Sequence, residues 1–307
     1  FPYQLFYSYH NIQTSSCRFL QAGRTGFFLS FGPIEISRMK KLFFITVISF
    51  CIILFACAPY AKTNKVYKKQ VKAYAKMLRE YPVKDSAGLP MASSWVGTTN
   101  FSMRRPNFVI IHHTAQNSCE QTLRTFTLRR TQVSSHYVIC KDGTVHHMLN
   151  DLLRAHHAGV SKWGNASDIN SSSIGIEIDN NGFEPFTDEQ INSLLLVLER
   201  LKNAYNIPVA NFIGHSDVAP GRKVDPNRNF PWQKLADRGF GHWYDTTGVQ
   251  VDSTFNEIQA LRIIGYNINN QQNAIQSFKL HFVQNDTTRV ITEADRKILF
   301  DLMKRYQ

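Results

Sequence analysis

Three short runs constrain this chain most: residues 108–111 and 210–213, which are mainly apolar, and 174–178, which alternates isoleucine with Gly and Glu. Each has the length of a buried strand, and each ends at or encloses a residue that can do chemistry, namely His112, Glu177 and His215. Side chains at strand ends are held by a rigid sheet yet reach the loops where sites are built. The third run leads into "IGHSDVAPGRKVDPNRNFPW", residues 213–232. There Pro220 and Pro226 fix the backbone at two points and Gly221 permits a tight turn between them. Lys223 and Asp225 are therefore held with little conformational freedom.

The segments between these runs carry helix and hairpin signals. Ser118 with Gln121 makes a capping-box start for a helix to about residue 130. Residues 135–140 and 144–149 read as strands joined through Asp142 and Gly143, a strong hairpin signal. Thr187 with Gln190 opens a long helix with Leu194, Leu195, Leu198 and Leu201 along one face. This order predicts an α/β fold over residues 107–244, a mixed central sheet flanked by helices. Residues 250–307 predict a small three-helix bundle. Thr254 and Glu257 cap its first helix, and Ile258, Leu261 and Ile264 form a stripe that Gly265 ends. Ala274, Ile275, Phe278 and Phe282 mark the second helix, while Thr292 opens a third with Ile298, Leu299, Leu302 and Tyr306. So small a bundle has little core of its own and should lean on its neighbour.

The N-terminal part is of another kind. Residues 1–38 are aromatic-rich without periodicity or caps and read as upstream sequence foreign to the native protein. Met39 opens "MKKLFFITVISFCIILFACAP", in which Lys40 and Lys41 precede an apolar stretch, 42–55, too short to span a bilayer comfortably. Residues 39–56 resemble a bacterial lipoprotein signal peptide, with Cys57 as the acylated new N-terminus. The alternative is an uncleaved membrane anchor. Either way the remainder lies outside the cytoplasm, and Ala58, which lacks the acidic signal of inner-membrane retention, favours the outer membrane.

Removing 1–56 takes away 5 basic residues and 1 acidic one, which lowers the formal charge from +12 to +8. Much of this charge lies in residues 62–79, where Val66, Val71, Tyr74 and Leu78 recur at near-helical spacing among lysines. Such a run is a solvated helix face or a surface for anionic headgroups or wall polymers. A Pro-, Gly- and Ser-rich linker completes the segment 57–106. No nucleic-acid partner is expected, because no segment resembles a nucleic-acid module. Of the 5 cysteines only Cys119 and Cys140 fall in the folded region, and they either pair or stay as two buried thiols.

His112, His215 and Asp225 supply two imidazoles and one carboxylate, a sufficient set for a catalytic zinc with one position left for water. Amide hydrolysis also needs a base and a cation for the developing oxyanion, roles that suit Glu177 and Lys223. From spacing alone the reading stays open, since a lone histidine is more often a hydrogen-bonded core residue than a ligand.

Four segments narrow it. "FVIIHHTA", "SSHYVICKDGTVHHML", "RAHHAGVSKWGNASDINSSSIGIEIDN" and "IGHSDVAPGRKVDPNRNFPW" resemble, in this order, the zinc-dependent N-acetylmuramoyl-L-alanine amidases. This is the amidase-2 group related to peptidoglycan recognition proteins, and the likeness covers about residues 106–244. Residues 255–282 are similar to a three-helix peptidoglycan-binding domain often fused to it.

The resemblance implies a monomeric lipoprotein that cuts muropeptides between the lactyl group and L-alanine. It implies His112, His215 and Asp225 as zinc ligands, Glu177 as base and Lys223 as the supporting cation. It gives His113 no ligand role and places Ser135 where other relatives carry a catalytic tyrosine. His157, Trp163, Asn180 and Arg222 become substrate contacts, while Tyr137, His136, His146 and His147 are expected to have no catalytic duty. Two competing classes remain: a recognition lipoprotein that grips muropeptides without cutting them, and a tether between membrane and wall.

Overall fold

The computed structural model describes residues 59–79, 96–286 and 288–307. The upstream sequence, the signal-peptide segment, Cys57 and much of the linker lie outside the described residues. Residues 1–89 and 90–307 are separate compact units. In the first, helix α1 (Ala61–Met77) carries no buried residue, so its lysines and its few apolar side chains are all solvated. No described helix is long and apolar enough to cross a membrane.

Parallel strands covered on both faces need apolar residues at consecutive positions. Strand β1 (Phe108–His113) meets this need, every one of its residues being buried. Helix α2 (Cys119–Thr127) follows, capped by the Ser118 hydroxyl, which accepts from the Gln121 amide at 3.2 Å. Strands β2 (Tyr137–Ile139) and β3 (Val145–His147) form the expected hairpin, with Gly143 at a φ of 81° that a side chain would resist. Cys119 and Cys140 are disulfide-bonded, which ties the start of α2 to the end of β2.

The short helix α3 (Ile169–Ser172) runs into β4 (Ser173–Ile178), and α4 (Asp188–Tyr205) carries the full Thr187–Gln190 capping box. Strand β5 (Phe212–Gly214), α5 (His215–Val218) and α6 (Trp232–Ala236) complete the sheet region. The five strands lie in the order β3-β2-β4-β1-β5. Strands β2, β4, β1 and β5 run parallel, and β3 alone is antiparallel.

The pleat sorts the two faces. Val109, Ile111, Ile174, Ile176 and Ile178 pack with Leu194, Leu198 and Leu201 of α4. The opposite face begins with Phe108, Ile110 and Ile213, and it is covered from outside the sheet region. That cover comes from α7 (Glu257–Ile264), α8 (Gln271–Phe282) and α9 (Glu293–Arg305). Leu261, Ile264, Phe278, Phe282 and Leu299 share one core with those strand residues. The C-terminal helices thus bury a face of the sheet.

One cap differs from expectation. Asn256, not Thr254, opens α7, its side chain accepting from the Gln259 amide at 2.9 Å. The Thr254 amide and hydroxyl are both drawn to Asp252 Oδ1, at 2.7 and 2.6 Å, so the hydroxyl is committed to a local turn.

Candidate active site

Ligands of parallel sheets gather beyond the carboxyl ends of the strands. Here His112 is the last residue but one of β1 and Glu177 the last but one of β4, and β5 ends in Gly214, after which His215 starts α5. His112 and Glu177 are direct neighbours in the β1/β4 register. Because β4 alternates Ser-Ile-Gly-Ile-Glu-Ile, its isoleucines enter the core while Ser173, Gly175 and Glu177 share the face of His112. The stiff loop after α5 then returns Asp225 to the same point.

Three atoms converge there. His112 Nδ1 lies 2.9 Å from His215 Nδ1 and 3.0 Å from Asp225 Oδ2, and His215 Nδ1 lies 2.9 Å from the same oxygen. All three residues are buried. A tetrahedral ion with bonds of about 2.0–2.1 Å sets its ligand atoms about 3.3 Å apart, so the triangle is of the size one ion demands. Burial, and then the neighbouring His215, push the His112 ring down to about 4, which keeps it a neutral lone-pair donor. Burial alone would raise the Asp225 carboxyl, but the adjacent His112 and His215 rings hold it well below the usual range. Two imidazoles and a carboxylate suit a divalent metal. The other cluster of this kind among the described residues, Cys119, Cys140 and His146, has both sulfurs committed to the disulfide.

The triangle forms part of the wall of a cleft of about 350 Å³, a size suited to a small ligand. Glu177, Lys223, His113, His157 and Arg222 line it as well. Burial, reinforced by Asp225 and opposed by Lys223, pushes Glu177 up to about 8. Its Oε2 atom is shielded and has no hydrogen-bond partner among the described protein groups. A carboxylate so placed is a good proton acceptor.

The remaining expected residues are held by other parts of the protein. Trp163 lies outside the cleft: it is buried edge-on against Tyr266 at 5.0 Å, and a side chain at Gly265 would collide with it. Asn180 is buried too, its Oδ1 accepting from Gly182 N at 2.8 Å and Asn227 Nδ2 at 3.0 Å, so it shapes the loop behind the cleft. Arg222 reaches the cleft wall but spends its guanidinium on the carbonyls of Ala158 and Val160, both at 2.7 Å.

Ser135 donates to the Gly175 carbonyl at 2.7 Å and Tyr137 to Asp151 at 2.7 Å, so neither hydroxyl faces the cleft. His113 Nδ1 accepts from the Asn227 amide, and His136 bridges Gly175 N and the Leu153 carbonyl within the sheet.

Asp217 went unnoticed in the sequence. It is fully buried, accepting from Gly214 N at 2.8 Å and from Tyr266 at 2.8 Å, and it pairs with His281 Nδ1 at 2.7 Å. It caps the helical turn that begins with His215. The available signal was an acidic residue three positions after Gly214, the spacing of a capping box.

The family profile described as N-acetylmuramoyl-L-alanine amidase matches residues 102–228. The chain is 32% identical over 211 residues to N-acetylmuramoyl-L-alanine amidase AmiD of Escherichia coli, a match covering 58% of this chain and 75% of AmiD. It is 36% identical over 104 residues to 1,6-anhydro-N-acetylmuramyl-L-alanine amidase AmpD of Haemophilus influenzae, spanning 34% of this chain and 56% of that protein. Among solved structures, E. coli AmiD bound to anhydro-N-acetylmuramic acid-L-Ala-D-γ-Glu-L-Lys superposes with a TM-score of 0.60 at 28% identity. That superposition covers 68% of this chain and 93% of AmiD. The mixed sheet, the strand-end cleft and these likenesses agree: the chain belongs to the N-acetylmuramoyl-L-alanine amidase family.

Proposed function

We propose that the protein is a zinc-dependent amidase that hydrolyses the amide between the lactyl group of N-acetylmuramic acid and L-alanine of the stem peptide. The observation that carries this reading is the triangle of His112, His215 and Asp225 beside a carboxylate with one unpartnered oxygen. Zinc held by the three side chains would supply an acidified water and a Lewis acid for the scissile carbonyl. Glu177 accepts the proton of the attacking water at its shielded carboxylate and passes it to the leaving amine. Lys223, on the cleft wall, offsets the negative charge that develops on the carbonyl oxygen.

The bound ligand of AmiD, an anhydromuramyl peptide, supports muropeptides as the substrate class here. A recognition protein that only grips muropeptides needs neither a complete ligand triangle nor a desolvated base, so hydrolysis is the reading favoured. Cys57 would attach the enzyme by lipid to the envelope, with the outer membrane as its site, and the monomer would act alone. The C-terminal helices would add contacts to wall polymer.

The purified protein is incubated with muropeptides with and without a chelator, and the products are weighed. The expected result is release of intact stem peptide, lost on chelation and restored by zinc. Muropeptides returned uncut under all conditions would overturn the proposal.

A further inference from the structure

A chain of polar groups leads away from the metal triangle. His112 Nε2 lies 3.0 Å from His157 Nδ1, His157 Nε2 lies 3.2 Å from Ser173 Oγ, and Ser173 Oγ lies 2.6 Å from the Ile169 carbonyl oxygen. At the far end the shorter contact, from Ser173 to the Ile169 carbonyl, favours one arrangement of protons. A carbonyl oxygen only accepts, so the single hydroxyl proton of Ser173 points to Ile169. Ser173 Oγ must then accept from His157, which therefore carries its proton on Nε2 and presents a bare Nδ1. His112 fills that acceptor with its own Nε2–H. A neutral imidazole has one ring proton, so the Nδ1 of His112 is left as a lone pair aimed at Asp225 and His215.

We propose that Ser173 and His157 are positioning residues that set the tautomer of His112 and so make it a metal ligand through Nδ1. The inference rests on the zinc-site reading of the triangle. His215 is fixed by a shorter route: its Nε2–H donates to the Ala158 carbonyl at 3.1 Å, which leaves its Nδ1 free as well. Two consecutive residues, His157 and Ala158, thus orient both histidine ligands.

The seat of His157 is built for this. Asn170 Oδ1, itself buried, accepts from the amides of His157 and Ala158 at 3.0 and 2.9 Å. Gly175 leaves room for the ring; a Cβ there would lie 2.5 Å from it. Both ring nitrogens are engaged within the protein. His157 therefore has no ring nitrogen left for a substrate, and its place on the cleft wall is that of an orienting group.

Breaking the chain at Ser173 frees the His157 proton to move to Nδ1, where it would oppose the His112 Nε2–H. His112 would relieve the clash by moving its proton to Nδ1, the atom the metal needs. Outer partners of this kind are worth about 10- to 100-fold in metal affinity.

The test is zinc affinity of the purified protein by chelator competition, in the parent and in Ser173→Ala, His157→Phe and His157→Asn, with circular dichroism and metal-free melting as folding controls. Asparagine is the informative exchange, since its Oδ1 takes the place of the imidazole Nδ1 as acceptor. Ser173→Ala and His157→Phe are expected to bind zinc about 10- to 100-fold more weakly, and His157→Asn to recover most of that loss. Ring-nitrogen NMR of the zinc-loaded parent should show the proton of His157 on Nε2.

Losses below tenfold in both Ser173→Ala and His157→Phe, or a folded His157→Asn no better than His157→Phe, would overturn the relay alone. A parent that binds no zinc would overturn the zinc-site reading with it.

Discussion

Glu177→Gln is expected to lower kcat by about 10²–10⁴-fold while leaving zinc content and fold intact. The exchange keeps shape and volume, so it removes little besides the proton acceptor. Its effect on stability should run the opposite way to its effect on rate. In the parent, Glu177 is pushed up to about 8, first by burial and then by Asp225, and its Oε2 has no partner among the described protein groups. A carboxylate held in this way costs folding energy that a neutral amide does not. The variant should therefore melt no lower than the parent, the usual relation between a strained catalytic group and stability. Steady-state kinetics on muropeptides, paired with metal analysis and a melting curve, check all three statements. Activity within tenfold of the parent would remove Glu177 from its role as base.

Asp217→Ala is expected to destabilise the protein by about 3–5 kcal/mol, since each buried donor left without its acceptor costs about 1–3 kcal/mol. The carboxylate is fully buried, and its loss strands the Gly214 amide, the Tyr266 hydroxyl and His281 Nδ1 together. His281 also stacks on Trp232, at 3.8 Å between ring centroids, so the disturbance reaches the loop beyond Asp225. The same residue caps the turn carrying His215, and zinc affinity should fall along with stability. Denaturant melts of the metal-free protein measure the first effect and chelator competition the second. A loss under about 1 kcal/mol would show that the C-terminal helices and the site are energetically independent.

This coupling bears on what the sequence could disclose. The strands were legible because β1 opens on four successive apolar residues and β4 alternates isoleucine with other residues, and the hairpin because Asp142 and Gly143 suit its turn. His112, Glu177, His215 and Asp225 were legible as candidates because each stands near the end of a strand or in a stiff loop, and the fold brings them to one cleft. Ser173 was not. Its part depends on facing His157, 16 residues earlier in the chain, and only the pleat of β4 and the smallness of Gly175 bring the two together.

Trp163 misled for a related reason. It lies in one of the four segments that resemble the amidase family, yet Gly265 and Tyr266, a hundred residues on, enclose it. The C-terminal helices were expected to lean on their neighbour. They go further, because Leu261, Phe278 and Phe282 complete the core under Phe108, Ile110 and Ile213. Periodicity reveals which face of a helix is apolar, and it is silent on what that face will cover.

The central claim is that one metal ion is gripped by His112, His215 and Asp225. Anomalous diffraction at the zinc absorption edge, on crystals of the zinc-loaded protein, tests it most directly. A single strong peak bonded to Nδ1 of His112, Nδ1 of His215 and a carboxylate oxygen of Asp225 is expected. A peak elsewhere in the chain, or one bonded to either histidine through Nε2, would contradict it.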